Sequence, residues 1–105
     1  MVTEVIREVE QVGPVLEAGA AADAVIAAIR ELNVGVAVVD RGAYRRVSAF
    51  RRCIVTREAI EKELGRAFQL PGDLEKIMPA FQGCFAVSEE CAVWSSSAAA
   101  PQNIS

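Results

Sequence analysis

The chain of 105 residues contains no histidine. That removes the commonest general base near neutral pH and the orienting member of serine and cysteine triads. Cysteine is scarce too: Cys53, Cys84 and Cys91 form no CxxC pair, so a zinc site would need a fourth ligand from a carboxylate or from another chain. HExxH, EF-hand, GxGxxG and GxxxxGK[ST] patterns are absent, and no metal or phosphate cradle announces itself. No apolar run approaches the roughly 20 residues of a membrane helix. Glutamates interrupt the apolar pattern of the opening MVTEVIREVEQ, unlike a signal peptide. An odd cysteine count without an export signal points to reduced, buried thiols in a cytoplasmic protein. The net charge of −3 argues against general affinity for nucleic-acid phosphates.

What is present is the composition of a globular domain, 52% hydrophobic and 24% charged. The expected organisation is a flexible arm over residues 1–11, a single domain over 12–95 and a disordered, low-complexity tail over 96–105, with no internal repeat. In the arm, Val2, Val5, Ile6 and Val9 recur at helical spacing and would form a short amphipathic stripe.

The stretch from Asp40 to Phe68 carries the strongest local signals. Tyr44–Phe50 and Arg52–Val55 are rich in aromatic and β-branched residues and are predicted strands. Thr56 is the N-cap of a helix, Val55 and Ile60 its hydrophobic staple, Glu58 and Lys62 an outward pair, and Gly65 its left-handed stop. Upstream, Val12–Leu16 reads as an edge strand that tolerates Pro14. Ala22, Val25, Ile26, Ile29 and Leu32 give a core-facing helix over Asp23–Leu32, with Asn33 as its cap. The nearly uninterrupted apolar run Val34–Val39 reads as a buried central strand, followed by a turn at Asp40-Arg41-Gly42. Downstream, Phe68 and Leu70 return to the core, Asp73 caps a short helix through Met78, and Phe81–Val87 and Cys91–Trp94 are strands, with Phe81 and Trp94 inside. The fold class is α+β: five to six mainly antiparallel strands packed with two main helices and a short third.

Seven arginines, Arg41, Arg45, Arg46, Arg51, Arg52, Arg57 and Arg66, fall in the central stretch of an acidic protein. Either they solvate a strand face, or they make a docking surface for an acidic partner.

Four fragments carry a resemblance: VGPVLEAG at Val12–Gly19, DRGAY at Asp40–Tyr44, RCIVTREAIEKELGRAF at Arg52–Phe68 and LPGDLEKIMPAFQG at Leu70–Gly83. In order and spacing they resemble the effector (coupling) proteins of soluble diiron multicomponent monooxygenases, of the toluene, alkene and isoprene type, over about residues 12–94. Ala67 stands where the family often has proline. The resemblance implies a non-catalytic, cofactorless regulatory protein with the effector-protein fold. Its partner would be the hydroxylase component, which holds the diiron centre, in alternation with a ferredoxin or reductase, and the free protein would be a monomer. Asn33 in the turn after the first helix, Asp40, Arg41 and Tyr44 in the matched DRGAY motif, and Arg66 in LGRAF are the candidate partner-binding residues. Asp40 and Arg41 equally suit a turn-stabilising pair, Tyr44 a core position, and Arg66 a loop anchor.

Two other functions compete. A small-molecule-sensing domain needs a preformed pocket, and a cysteine-dependent enzyme needs a thiolate of depressed pKa.

Overall fold

The computed structural model describes residues 10–96, so the stripe Val2–Val9 and the tail beyond Ser96 lie outside the described residues. In chain order the elements are β1 (Gln11–Glu17), α1 (Ala20–Leu32), β2 (Ala37–Asp40), β3 (Tyr44–Phe50), β4 (Arg52–Thr56), α2 (Arg57–Leu64), α3 (Gly72–Ile77), β5 (Ala80–Gln82), β6 (Cys84–Val87) and β7 (Cys91–Ser95). The strands form two antiparallel sheets, one ordered β2-β3-β1-β5 and the other β4-β7-β6. The α+β class and its three helices are those expected.

The local signals around Thr56 hold. Thr56 is still extended, and its Oγ1 accepts the Ala59 N–H at 3.1 Å, which satisfies one of the helix's free donors. Val55 and Ile60 are both fully buried, and Gly65 closes the helix at φ 80°. Lys62, however, reaches Glu31 on α1 at 3.4 Å instead of pairing along its own helix with Glu58. On α1, Ala22, Val25, Ile26 and Ile29 are buried as predicted, while Leu32 is 42% exposed where the helix runs past the core. Asp73 is not the cap of α3 but its second residue, and its carboxylate reaches back to accept the Gln69 N–H at 2.8 Å.

Three strand assignments change. β1 is an interior strand, between β3 and β5, and not an edge. It accommodates Pro14 because Gly13 and Pro14 pair only with β5, while a Cβ on Gly13 would run into the Val47 carbonyl of β3. The run Val34–Val39 is not a buried central strand: β2 is the edge of its sheet, Val34 is 95% exposed and Val39 44%. Phe81–Val87 is not one strand but two in different sheets, broken at Gly83, whose φ is 101°; a Cβ there would lie 2.6 Å from Val12 Cγ1 and 2.8 Å from Ser95 O. That break carries Phe81 to the surface, 45% exposed, where it packs on Phe85 at 5.2 Å, and Phe85 in turn stacks on the buried Trp94 at 5.2 Å.

Between the sheets the chain turns on one residue. Arg51, with φ 68°, separates β3 from β4. Its N–H donates to Glu10 O at 2.6 Å and its carbonyl accepts the Ser96 N–H at 3.0 Å. Its guanidinium grips the Glu10 carboxylate through Nε at 3.0 Å and Nη2 at 3.3 Å. Glu10 and Gln11, placed with the arm by the sequence, are therefore part of the fold, and Glu10 is 8% exposed. Inside, Val12, Leu16, Val47, Ala49, Val55, Ile60, Leu74 and Trp94 form one core with the inner residues of α1.

Arg51→Ala leaves a buried carboxylate without its partner and is expected to lower unfolding free energy by about 1–3 kcal/mol. Arg51→Gly loses the same ion pair but removes the left-handed strain, so it is expected to be about 1 kcal/mol less destabilising than alanine in urea unfolding. An alanine variant at least as stable as the glycine variant would show that the backbone is not strained there.

Candidate functional site

Successive strand residues point to opposite faces, so the register divides the four-stranded sheet cleanly. Val12, Leu16, Val47 and Ala49 face the core, which leaves Gln11, Val15, Arg46, Ser48, Val39 and Gln82 on the other side. That side is open: Tyr44, Phe50 and Val39 are 45%, 56% and 44% exposed. A shallow depression of about 370 Å³ lies on it, lined by Gln11, Val39, Arg41, Arg46, Ser48 and Gln82. Arg46 Nη2 donates to Gln82 Oε1 at 3.3 Å across the floor. No carboxylate lines it, so the depression is cationic on a protein of net charge −3.

The arginine cluster divides by use. Arg45 is committed to Asp23 at 2.7 Å and Asp40 at 3.7 Å, Arg51 to Glu10, and Arg57 to Glu90 at 3.2 Å and Glu61 at 3.7 Å. Arg41, Arg46, Arg52 and Arg66 have no carboxylate partner among the described residues. Of these, Arg41 and Arg46 share the open face.

Asp40, Arg41 and Tyr44 are brought together by the β2–β3 hairpin. Asp40 Oδ1 accepts the Gly42 N–H at 2.8 Å, and the Arg41 N–H donates to Tyr44 O at 2.8 Å. Asp40 thus stabilises the turn, Arg41 projects to the depression, and Tyr44 is a surface residue. Arg66 lies elsewhere, on a smaller hollow of about 170 Å³ that it shares with Ala21, Phe68, Asp73, Lys76 and Ile77. Asn33 sits at the far end of α1, about 18 Å from Ala21 by helical rise. Its side chain is fully engaged: Nδ2 donates to Ile29 O at 2.7 Å and Ile54 O at 2.8 Å, and Oδ1 accepts the Ile54 N–H at 3.0 Å. The amide caps α1 and pairs with the free edge of β4 as a neighbouring strand would.

Gln11, Ser48 and Gln82 escaped the sequence reading, and Arg46 entered it only as one of seven clustered arginines. The signal for two of them was the period of two in Tyr44, Arg46, Ser48 and Phe50, which sets a polar and aromatic row opposite Val47 and Ala49. Of the cysteines only Cys53 is buried as expected; Cys84 is exposed and Cys91 half-buried, because both lie on the outward face of the smaller sheet. Burial pushes the Cys53 thiol up to about 12, the opposite of what a nucleophile needs. Among the described residues no group of three or more metal-ligating side chains comes together, and no helix is long and apolar enough to cross a membrane.

The arrangement is an open sheet face with cations that have no carboxylate partner among the described residues, aromatic rims and backbone-anchored turns. The chain belongs to the MmoB/DmpM family, whose profile matches residues 10–95. It is 44% identical over 85 residues to an alkene monooxygenase system effector subunit of Xanthobacter autotrophicus (strain ATCC BAA-1158 / Py2), an alignment that covers 79% of this chain and 83% of that protein. Its fold matches chains from two structures of phenol hydroxylase–regulatory protein complexes. The TM-scores are 0.72 and 0.68, at 19% and 20% identity, covering 81% of this chain and 97% and 98% of those chains. The alkene monooxygenase relative is an effector subunit, as the resemblance implied.

Asn33→Ala is expected to lower stability by about 1–3 kcal/mol, because it strips partners from two Ile54 backbone groups at once. An unchanged urea midpoint would show that water replaces the amide at no cost. For Cys53, the unfolded thiol ionises near 9.0 and the folded one near 12, so the native state holds a proton that unfolding releases in this window. Stability contributed by the neutral thiol is complete below pH 9.0 and is lost as pH rises toward 12. The stability gap between wild type and Cys53→Ala is expected to narrow from pH 8 to pH 10.5, about 1.4 kcal/mol per pH unit once well above the lower value. A gap that stays constant would contradict the assignment.

Proposed function

We propose that this protein is the effector of a soluble diiron monooxygenase that oxidises an alkene or aromatic hydrocarbon. The observation that carries this reading is the 44% identity to an alkene monooxygenase effector subunit over most of both chains. The effector binds the hydroxylase, which holds the diiron centre, and carries no cofactor itself. It acts by binding two hydroxylase states unequally, so that its binding energy shifts their populations and with them substrate access, oxygen activation and the coupling of NADH use to product. Differences of 1–3 kcal/mol suffice for such coupling. The contact set is Asn33, Asp40, Arg41, Tyr44 and Arg66, with the hairpin residues at its centre and Asn33 acting through the loop it anchors. Binding alternates with that of a ferredoxin or reductase, and the free effector is a cytoplasmic monomer.

The test titrates the protein into its cognate hydroxylase, reductase and ferredoxin while NADH consumption and product are followed. Product per NADH is expected to rise and to saturate near one effector per hydroxylase active site. A flat response with components shown to be competent overturns the reading.

A further inference from the structure

The Arg41 N–H to Tyr44 O bond makes Arg41 and Tyr44 a hydrogen-bonded pair of the antiparallel ladder. The same register pairs Val39 with Arg46 and Ala37 with Ser48. Hydrogen-bonded pairs alternate along such a ladder, so Ala37 and Val39 turn their backbone groups toward β3, whereas Val38 and Asp40 turn theirs to the free edge of the sheet.

The four sheet edges differ in how they are protected. β4 is closed at Ile54 by the Asn33 amide, and β5 has only three residues. β6 runs into a turn that carries Glu89 and Glu90. β2 is also short and carries Asp40 at its end, but among the described residues no strand pairs with its far side, no charge, proline or lysine occurs from Val34 through Val39, and Val34 is 95% exposed. This edge also adjoins the cationic depression, to which Val39 and Arg41 both belong.

We propose that the β2 edge, with Arg41 and Arg46, is a strand-addition site for an extended segment of the hydroxylase whose side chains alternate between acidic and apolar. The proposal rests on the effector reading. A strand added beside β2 at about 4.8 Å presents alternate side chains to the two faces of the sheet. Those on the open face meet Val39, Arg41 and the long side chain of Arg46, where carboxylates are favoured; those on the other face meet Val36 and Val38, where apolar groups are favoured. A second copy of this chain fits less well, because it would bring two sets of unpaired arginines onto one continuous face.

Val38→Pro removes an N–H that points outward and leaves the β2–β3 hydrogen bonds intact. With the full-length protein and intact hydroxylase, this variant is expected to keep the wild-type circular dichroism spectrum and to bind at least tenfold more weakly by calorimetry. Val39→Glu, at an exposed position, repels an acidic strand and is expected to bind comparably weakly; it decides the matter should the proline variant misfold. The double variant Arg41→Glu, Arg46→Glu is expected to lose the salt dependence of wild-type binding. Val38→Pro and Val39→Glu that bind the hydroxylase as wild type does would overturn strand addition, while the wild-type rise in product per NADH would still uphold the effector reading. A dimer of the free protein that Val38→Pro dissociates would also overturn the proposal, in favour of a second copy.

Discussion

The corner at Arg51 is the constraint on which the two-sheet architecture depends. One uninterrupted sequence, Tyr44 to Thr56, supplies a strand to each sheet, and the change of direction between them is made by a single residue in the left-handed region. A non-glycine residue there is strained, so something must hold it. What holds it is the two ends of the fold: Glu10 through backbone and carboxylate, and Ser96 through its N–H. The strain and the clasp are coupled, because moving Arg51 out of its conformation would also release Glu10, whose side chain is only 11% exposed. The beginning of β1 and the end of β7 are thereby tied to the joint between their sheets.

Features encoded within five residues of one another could be read from the sequence. The Thr56 cap, the Val55–Ile60 staple and the Gly65 stop each involve neighbours along one turn of helix, and all are present. Sheet order is not local, and there the reading failed in an instructive way. Val34–Val39 has the composition of a buried central strand, yet nothing pairs with its far side among the described residues. Hydrophobicity reports a preference for burial, and a surface kept for a partner has the same composition as a core. The break at Gly83 was hidden for a related reason: alternation continues in phase through Phe81, Phe85 and Val87, and only the close approach of Val12 and Ser95 requires glycine there.

The candidate site shows the same division. The concentration of arginine was plain in the sequence, but which arginines are spent on structure was not, because their partners are remote: Asp23 lies 22 residues from Arg45, Glu90 33 from Arg57, and Glu10 41 from Arg51. Removing those three from the cluster leaves a smaller, sharper feature. Arg41 and Arg46 remain on one open face, and Gln82 comes 36 residues along the chain to meet Arg46. Asn33 is the converse case, a residue singled out for recognition whose amide is wholly used in closing an edge and ending a helix.

Closing one edge makes the openness of another meaningful. A protein of this size exposes unprotected apolar strand at the risk of self-association, and the chain demonstrably has the means to cover an edge, since Asn33 does so at β4 with a single side chain. At β2 the protection is of another kind. The exposed valines lie beside cations without partners, so two such surfaces repel where an acidic one is attracted, and charge selects what hydrophobicity alone would leave indiscriminate. For an effector that alternates on the hydroxylase as proposed, this combination is apt. Edge hydrogen bonds and a few valines give modest affinity, and the arginines set partner choice and encounter rate without a large buried interface that would slow departure.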